Sequence, residues 1–168
     1  MQASFFSRRR FLRLSTAGTA SALLLPNASL NGVQQQNRPP ALPPDLVKEF
    51  VIAGHGNLDR TKELLAKEPG LLNAAWDWGG GDFETALGGA GHMGQRDIAE
   101  FLLSQGSRMD IFVAAMLGKL DIVKAMLAAY PELIYSKGPH GLAFLHHAKK
   151  GGDEALPVLK YLETLGAK

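Results

Sequence analysis

The residues able to do chemistry are few: five histidines, His55, His92, His140, His146 and His147, in a 168-residue chain without cysteine. Imidazole nitrogens suit zinc, copper, iron and nickel, so a metal site is the first chemistry to weigh. His55 and His92 each stand just ahead of a turn glycine, Gly56 or Gly94, in equivalent places of two similar segments. They are therefore able to approach each other. Two imidazoles do not make a centre, which needs further ligands at short range. Asp59 and Asp97 fall on the wrong helices to help, and His92 and His147 are expected to face solvent. The spacing thus predicts no metal centre and no cofactor, with binding of a metal or small ligand through His55 and His92 as the alternative.

Nucleophilic chemistry has less to recommend it. Ser7, Ser104, Ser107 and Ser136 lie in no G-x-S-x-G turn and have no evident His/Asp pairing. Gly79-Gly80-Gly81 lacks the preceding strand, the lysine and the following Ser/Thr of a phosphate loop, and reads as a turn tip. The absence of cysteine excludes disulfides, thiol nucleophiles and thiolate metal sites. The chain is expected not to be an enzyme.

Recognition is the stronger theme. Both tryptophans, Trp76 and Trp78, flank Asp77 in one connection, with Phe83 close behind. Large aromatics on a projecting turn are what protein-recognition hot spots are made of. The competing expectation is that Trp76 or Trp78 folds back to cover a junction between neighbouring units.

The elements that must position these residues are repeated. Gly118-Lys119-Leu120-Asp121-Ile122-Val123-Lys124-Ala125-Met126-Leu127 superposes on Gly94-Gln95-Arg96-Asp97-Ile98-Ala99-Glu100-Phe101-Leu102-Leu103, and Ala114-Ala115 on Ala90-Gly91. The frame recurs ahead, at Gly56–Leu65, and behind, from Gly141 to Ala167. The aligned glycines are Gly56, Gly94, Gly118 and Gly152, with the interval from Gly94 to Gly118 much the shortest. Self-similarity of this kind identifies stacked supersecondary units, none of which can bury its apolar face alone.

These residues carry a resemblance to the ankyrin-repeat family. Its G-x-T-P-L-H-x-A line is matched by Gly141-x-Ala143-Phe144-Leu145-His146-x-Ala148, and in part by Thr85-Ala86-Leu87 with Ala90. Its G-H-x-E-I-V-x-L-L line is matched by Gly94–Leu103 and Gly118–Leu127. Only His146 matches the motif histidine, since Phe50, Gly88 and Phe112 stand at that place elsewhere, and the Thr-Pro pair is nowhere intact. The resemblance implies an all-α solenoid of about four helix–turn–helix units over residues 45–168, with small residues where inner helices meet. It implies that His146 ties adjacent repeat turns together. It also implies protein–protein interaction through the concave inner-helix face and the finger loops, with an unidentified protein partner.

Within this frame the inner helix of the first unit is expected at Leu46–Ala53, capped by Asp45, and its outer helix at Leu58–Lys67. Residues 68–83 and 131–140 are the expected fingers. Ser107-Arg108-Met109 runs almost directly into the next inner helix, so the row of fingers is interrupted. Paired leucines such as Leu64-Leu65 and Leu102-Leu103 should fill the seams between units.

The N-terminus stands apart. Ser7-Arg8-Arg9-Arg10-Phe11-Leu12-Arg13 resembles the twin-arginine export motif, and a short apolar run, Leu14–Leu25, follows it. Residues 1–30 therefore read as a signal peptide, and 31–44 as a Pro/Gln-rich linker. Export implies a periplasmic or secreted bacterial protein with no membrane attachment after cleavage. The stretch from Met1 to Pro40 holds five arginines (Arg8, Arg9, Arg10, Arg13 and Arg38) and no acid. Thirteen basic and sixteen acidic groups remain beyond it, a net charge near −3. A weakly acidic body argues against a nucleic-acid partner, and the chain is expected to be a monomer.

Overall fold

The computed structural model describes residues 39–167. The expected export signal lies outside the described residues, as does the expected linker up to residue 38. Among the described residues there are eight α-helices and one two-stranded sheet. In order these are α1 Pro44–Gly54, α2 Leu58–Lys67, β1 Ala75–Asp77, β2 Phe83–Thr85, α3 Ala86–Met93, α4 Arg96–Ser104, α5 Ile111–Met116, α6 Leu120–Ala129, α7 Phe144–Lys150 and α8 Leu156–Thr164.

Local chemistry accounts for most boundaries. Asn57, Thr85 and Asp110 accept the N–H of the residue three positions on, at Arg60, Gly88 and Val113, and so cap α2, α3 and α5. Helix α2 has the bounds expected from its sequence, with Asp59 in its first turn and Lys67 in its last, complementing its dipole. Helix α1 starts earlier than expected. Pro44 occupies its first turn, where a missing N–H costs little, so Asp45 lies inside the helix instead of capping it. Gly94 ends α3 with φ +78°, and Gly118, after α5, takes φ +71°. A side chain at Gly118 would also collide with the Glu154 carbonyl. At Gly94 and Gly118 glycine is thus required by both torsion and close approach, whereas Gly56 has neither constraint.

The helices form antiparallel pairs, α1/α2, α3/α4, α5/α6 and α7/α8. The first members then pack in series, α1 on α3, α3 on α5 and α5 on α7. Two apolar clusters result. One joins Phe50, Leu64, Leu71, Leu87, Ile98 and Leu102, with Met116 beneath them. The other joins Val123, Leu127, Phe144, Val158 and Leu162. The small residues at the crossings are buried, with Ala90, Ala114 and Ala115 fully excluded from solvent.

The two long connections differ in build. The first contains a 3-10 turn, Pro69–Asn73, and the β1–β2 hairpin, pairing Trp76 with Glu84. The second is made of 3-10 turns at Pro131–Tyr135 and Pro139–Gly141, closed by a single bridge between Lys137 and Ala143. Between α4 and α5 the chain turns tightly, and Asn73 accepts the Arg108 N–H at 2.9 Å. Because no finger projects there, the second connection reaches back to the first. His140 contacts Asp82, 58 residues earlier in the chain.

Candidate metal centre

Four side chains from four segments converge where the connections meet. His55 follows α1, Glu84 is the middle residue of β2, His92 lies in the last turn of α3, and His140 sits in the second connection. One donor atom from each falls within 4.8 Å of all the others. Glu84 is at the focus, its side chain fully buried. The His55 and His140 Nε2 atoms lie 3.2 and 3.4 Å from Glu84 Oε2, and His92 Nε2 lies 2.9 Å from Oε1.

The sequence builds this convergence with specific local choices. Alternation along β2 turns Glu84 inward while Phe83 points out, at 64% exposure. On α3, Gly89 leaves room for an imidazole: a Cβ there would lie 2.8 Å from the His55 ring. At Gly88 a Cβ would meet Pro139 and the Glu84 stem at 3.4 and 3.5 Å, ordinary packing distances. His146, on α7, reaches the carbonyl of His92 at 2.9 Å. It thereby fastens the backbone that carries a donor, joining the second helix pair to the fourth and not the adjacent pairs that the motif implies.

Proton positions follow from the partners. His55 Nδ1 is 2.9 Å from the Val51 carbonyl, and His140 Nδ1 is 3.0 Å from Asp82 Oδ2. Both partners are acceptors, so both Nδ1 atoms carry protons and both Nε2 atoms turn inward. A backbone carbonyl or carboxylate behind the imidazole is the usual support of a metal-ligating histidine. Trp78 Nε1 donates to Glu84 Oε2 at 2.7 Å, and His92 Nε2 and Glu84 Oε1 lie buried 2.9 Å apart.

Electrostatics favour an anion at the focus. Burial pushes the Glu84 carboxyl up, but the His55 and His92 imidazoles and the Trp78 N–H outweigh it and hold it at about 2. The hydrogen-bonding Glu84 raises the His55 imidazole above its ordinary 6.5, against the effect of burial.

Zinc bonds of about 2.0–2.1 Å place tetrahedral donors roughly 3.3 Å apart; the three imidazole–carboxylate separations lie near that value, and the four donors as a set are within 4.8 Å of one another. Imidazole and carboxylate without thiolate suit zinc, copper, iron or nickel.

The residues singled out from the sequence fare differently. His55 and His92 do approach, with ring centroids 4.9 Å apart. His92 and His147 do not face solvent as expected: they are 6% and 1% exposed, turned inward against Glu84 and beneath Gly138 respectively. Trp78 folds back, but onto the cluster, with its ring 5.8 Å from that of His140. Trp76 is half-buried, with Lys48 Nζ 5.4 Å from its ring. Of the aromatic trio, Phe83 is the most exposed. Glu84 and His140 were missed by sequence reasoning. The available signals were a Gly-Gly pair inside a helix, unfavourable by about 1 kcal/mol per residue without a packing reason, and a lone acid bordering the apolar start of α3. No protein-family model matches the chain, and no curated protein shows significant similarity to it.

Proposed function

We propose that the chain is an exported binding protein of ankyrin-repeat type that holds one divalent first-row transition ion, with zinc as the reference, through His55, Glu84, His92 and His140. One observation carries the reading: three Nε2 atoms surround one buried carboxylate at 2.9 to 3.4 Å. Four protein donors complete a tetrahedral shell, which suits retention of an ion better than catalysis on it. The serial packing of α1, α3, α5 and α7 and the paired roles of Gly94 and Gly118 support the repeat assignment. The Ser7–Arg13 motif supports export.

Equilibrium dialysis of the purified full chain against zinc at neutral pH tests the reading. One ion per chain is expected, and none in His55→Ala or Glu84→Ala. If the wild type retained no stoichiometric zinc, copper, iron or nickel, the metal reading would be rejected.

Recognition of an unidentified protein is a second reading, favoured by Phe83. It is exposed beside a cleft of about 350 Å³ that Phe112, Lys137 and Pro139 also line. Loss of a captured partner on Phe83→Ala substitution, with zinc binding intact, is the outcome this reading expects.

A further inference from the structure

The four donors are not equivalent. His55, Glu84 and His92 stand on or beside α1, β2 and α3, and their side chains are 24%, 0% and 8% exposed. His140 comes from a 3-10 turn in the second connection and is 35% exposed. It is also the only non-glycine residue with positive φ among the described residues, at 58°. Its backbone occupies a sparsely populated region and must be held there by its surroundings.

What holds it is one carboxylate. Asp82 Oδ1 accepts the His140 backbone N–H at 3.0 Å, and Asp82 Oδ2 accepts Nδ1–H at 3.0 Å. The first contact fixes the backbone of the turn, and the second fixes the imidazole tautomer and aims Nε2 at Glu84. Asp82 lies in the turn of the β1–β2 hairpin, so the pair ties the second connection to the first beside the contacts of His140 with Glu84 and Trp78. It also adds a second carboxylate beside the centre.

Resting on the metal-binding reading, we propose that Asp82 is the positioning residue for the fourth ligand, and that the two connections form a clasp closed by the ion. The three inner donors form a preformed seat. His140 and Asp82 then close over the ion, and its occupancy sets how firmly the second connection is held against the first. The cleft between Phe83, Phe112 and Pro139 spans the same two connections, so its width is under the control of the metal.

Zinc titration of the full chain, paired with amide hydrogen exchange, tests this. In the wild type, zinc should bind and should slow exchange in residues 131–143. Asp82→Ala should bind zinc about 10–100-fold more weakly, the usual effect of losing a carboxylate behind a ligand. At saturating zinc it should still leave 131–143 exchanging as in the metal-free protein. His140→Gly provides the variant least able to disturb folding, because glycine adopts a positive φ without strain. It should show the same two effects, and the double variant should be no worse than either alone. Protection of 131–143 in zinc-saturated Asp82→Ala, or undiminished zinc affinity in His140→Gly, would overturn the clasp while leaving a three-donor site standing. Absence of zinc binding by the wild type would instead remove the metal-binding reading itself.

Discussion

Two histidines with the same local geometry face different surroundings. His55 donates Nδ1–H to the carbonyl four residues back, Val51, and His147 does the same to Ala143. Each therefore presents its Nε2 away from that bond. At His55 that atom meets Glu84, with His92 and His140 around it. At His147 it meets the Gly138 backbone and the Phe112 ring and has no hydrogen-bond partner. The neighbouring carboxylate raises the His55 pKa, whereas burial lowers that of His147. The tethered Nδ1 is common to both and so does not by itself make a ligand. A ligand set is made by what converges on the other nitrogen.

Glu84→Gln should break the contrast most severely. It keeps the shape and removes the anion at the focus of the first site. Zinc affinity should fall by more than about 100-fold, beyond the loss usual for removing a group that merely supports a ligand. The rise in melting temperature that zinc gives the wild type should vanish with it. Retained affinity would mean the carboxylate is not a ligand.

Gly89→Ala should come next. In an exposed helix this change stabilises by up to about 1 kcal/mol, but here the new methyl would press on the His55 ring. We expect a loss of about 1–3 kcal/mol by overpacking, together with weaker zinc binding. Denaturant melts and zinc titration in parallel separate the two effects. Trp78→Phe is gentler, removing the indole N–H donated to Glu84 together with one of the two fused rings. A charged hydrogen bond of this kind contributes about 1.5–3 kcal/mol, and zinc binding should weaken only modestly.

His147→Leu should matter least, and it sharpens the comparison from the other side. Zinc binding should be unchanged, and stability should shift by no more than about 1 kcal/mol, the lost bond to Ala143 offsetting the removal of an unsatisfied nitrogen. Its signature is in pH. Because burial lowers the folded pKa below 6.5, the unfolded chain binds the proton more readily. The contribution of His147 is therefore present above about pH 6.5 and lost as the pH falls below it. Stability measured in acid should decline less steeply in His147→Leu than in the wild type.

How much of this was legible in the sequence depends on the range of the interactions involved. Helix α2 was readable because its cap Asn57, its leucine pair and its charged ends are all local. The approach of His55 to His92 was readable from their shared position in a repeating frame, whereas His146 reaches two helix pairs back and not to the adjacent one its motif implies. Glu84 was not. It precedes a helix in a connection whose hairpin alternation, set by the pairing of Trp76 with Glu84, decides which side faces in. His140 was further out of reach. Its place depends on a missing finger between α4 and α5, which lets a later connection fall back on an earlier one. The inward turn of His92 and His147 is a matter of helix phase against partners that only the packed structure supplies.

The most direct test of the four-donor centre is X-ray absorption at the zinc edge of the loaded full-length protein, compared with His140→Gly. The account predicts a shell of four nitrogen and oxygen donors at about 2.0 Å, with scattering from three imidazoles in the wild type and two in the variant. A wild-type spectrum dominated by water oxygens, or with one imidazole or none, would contradict it.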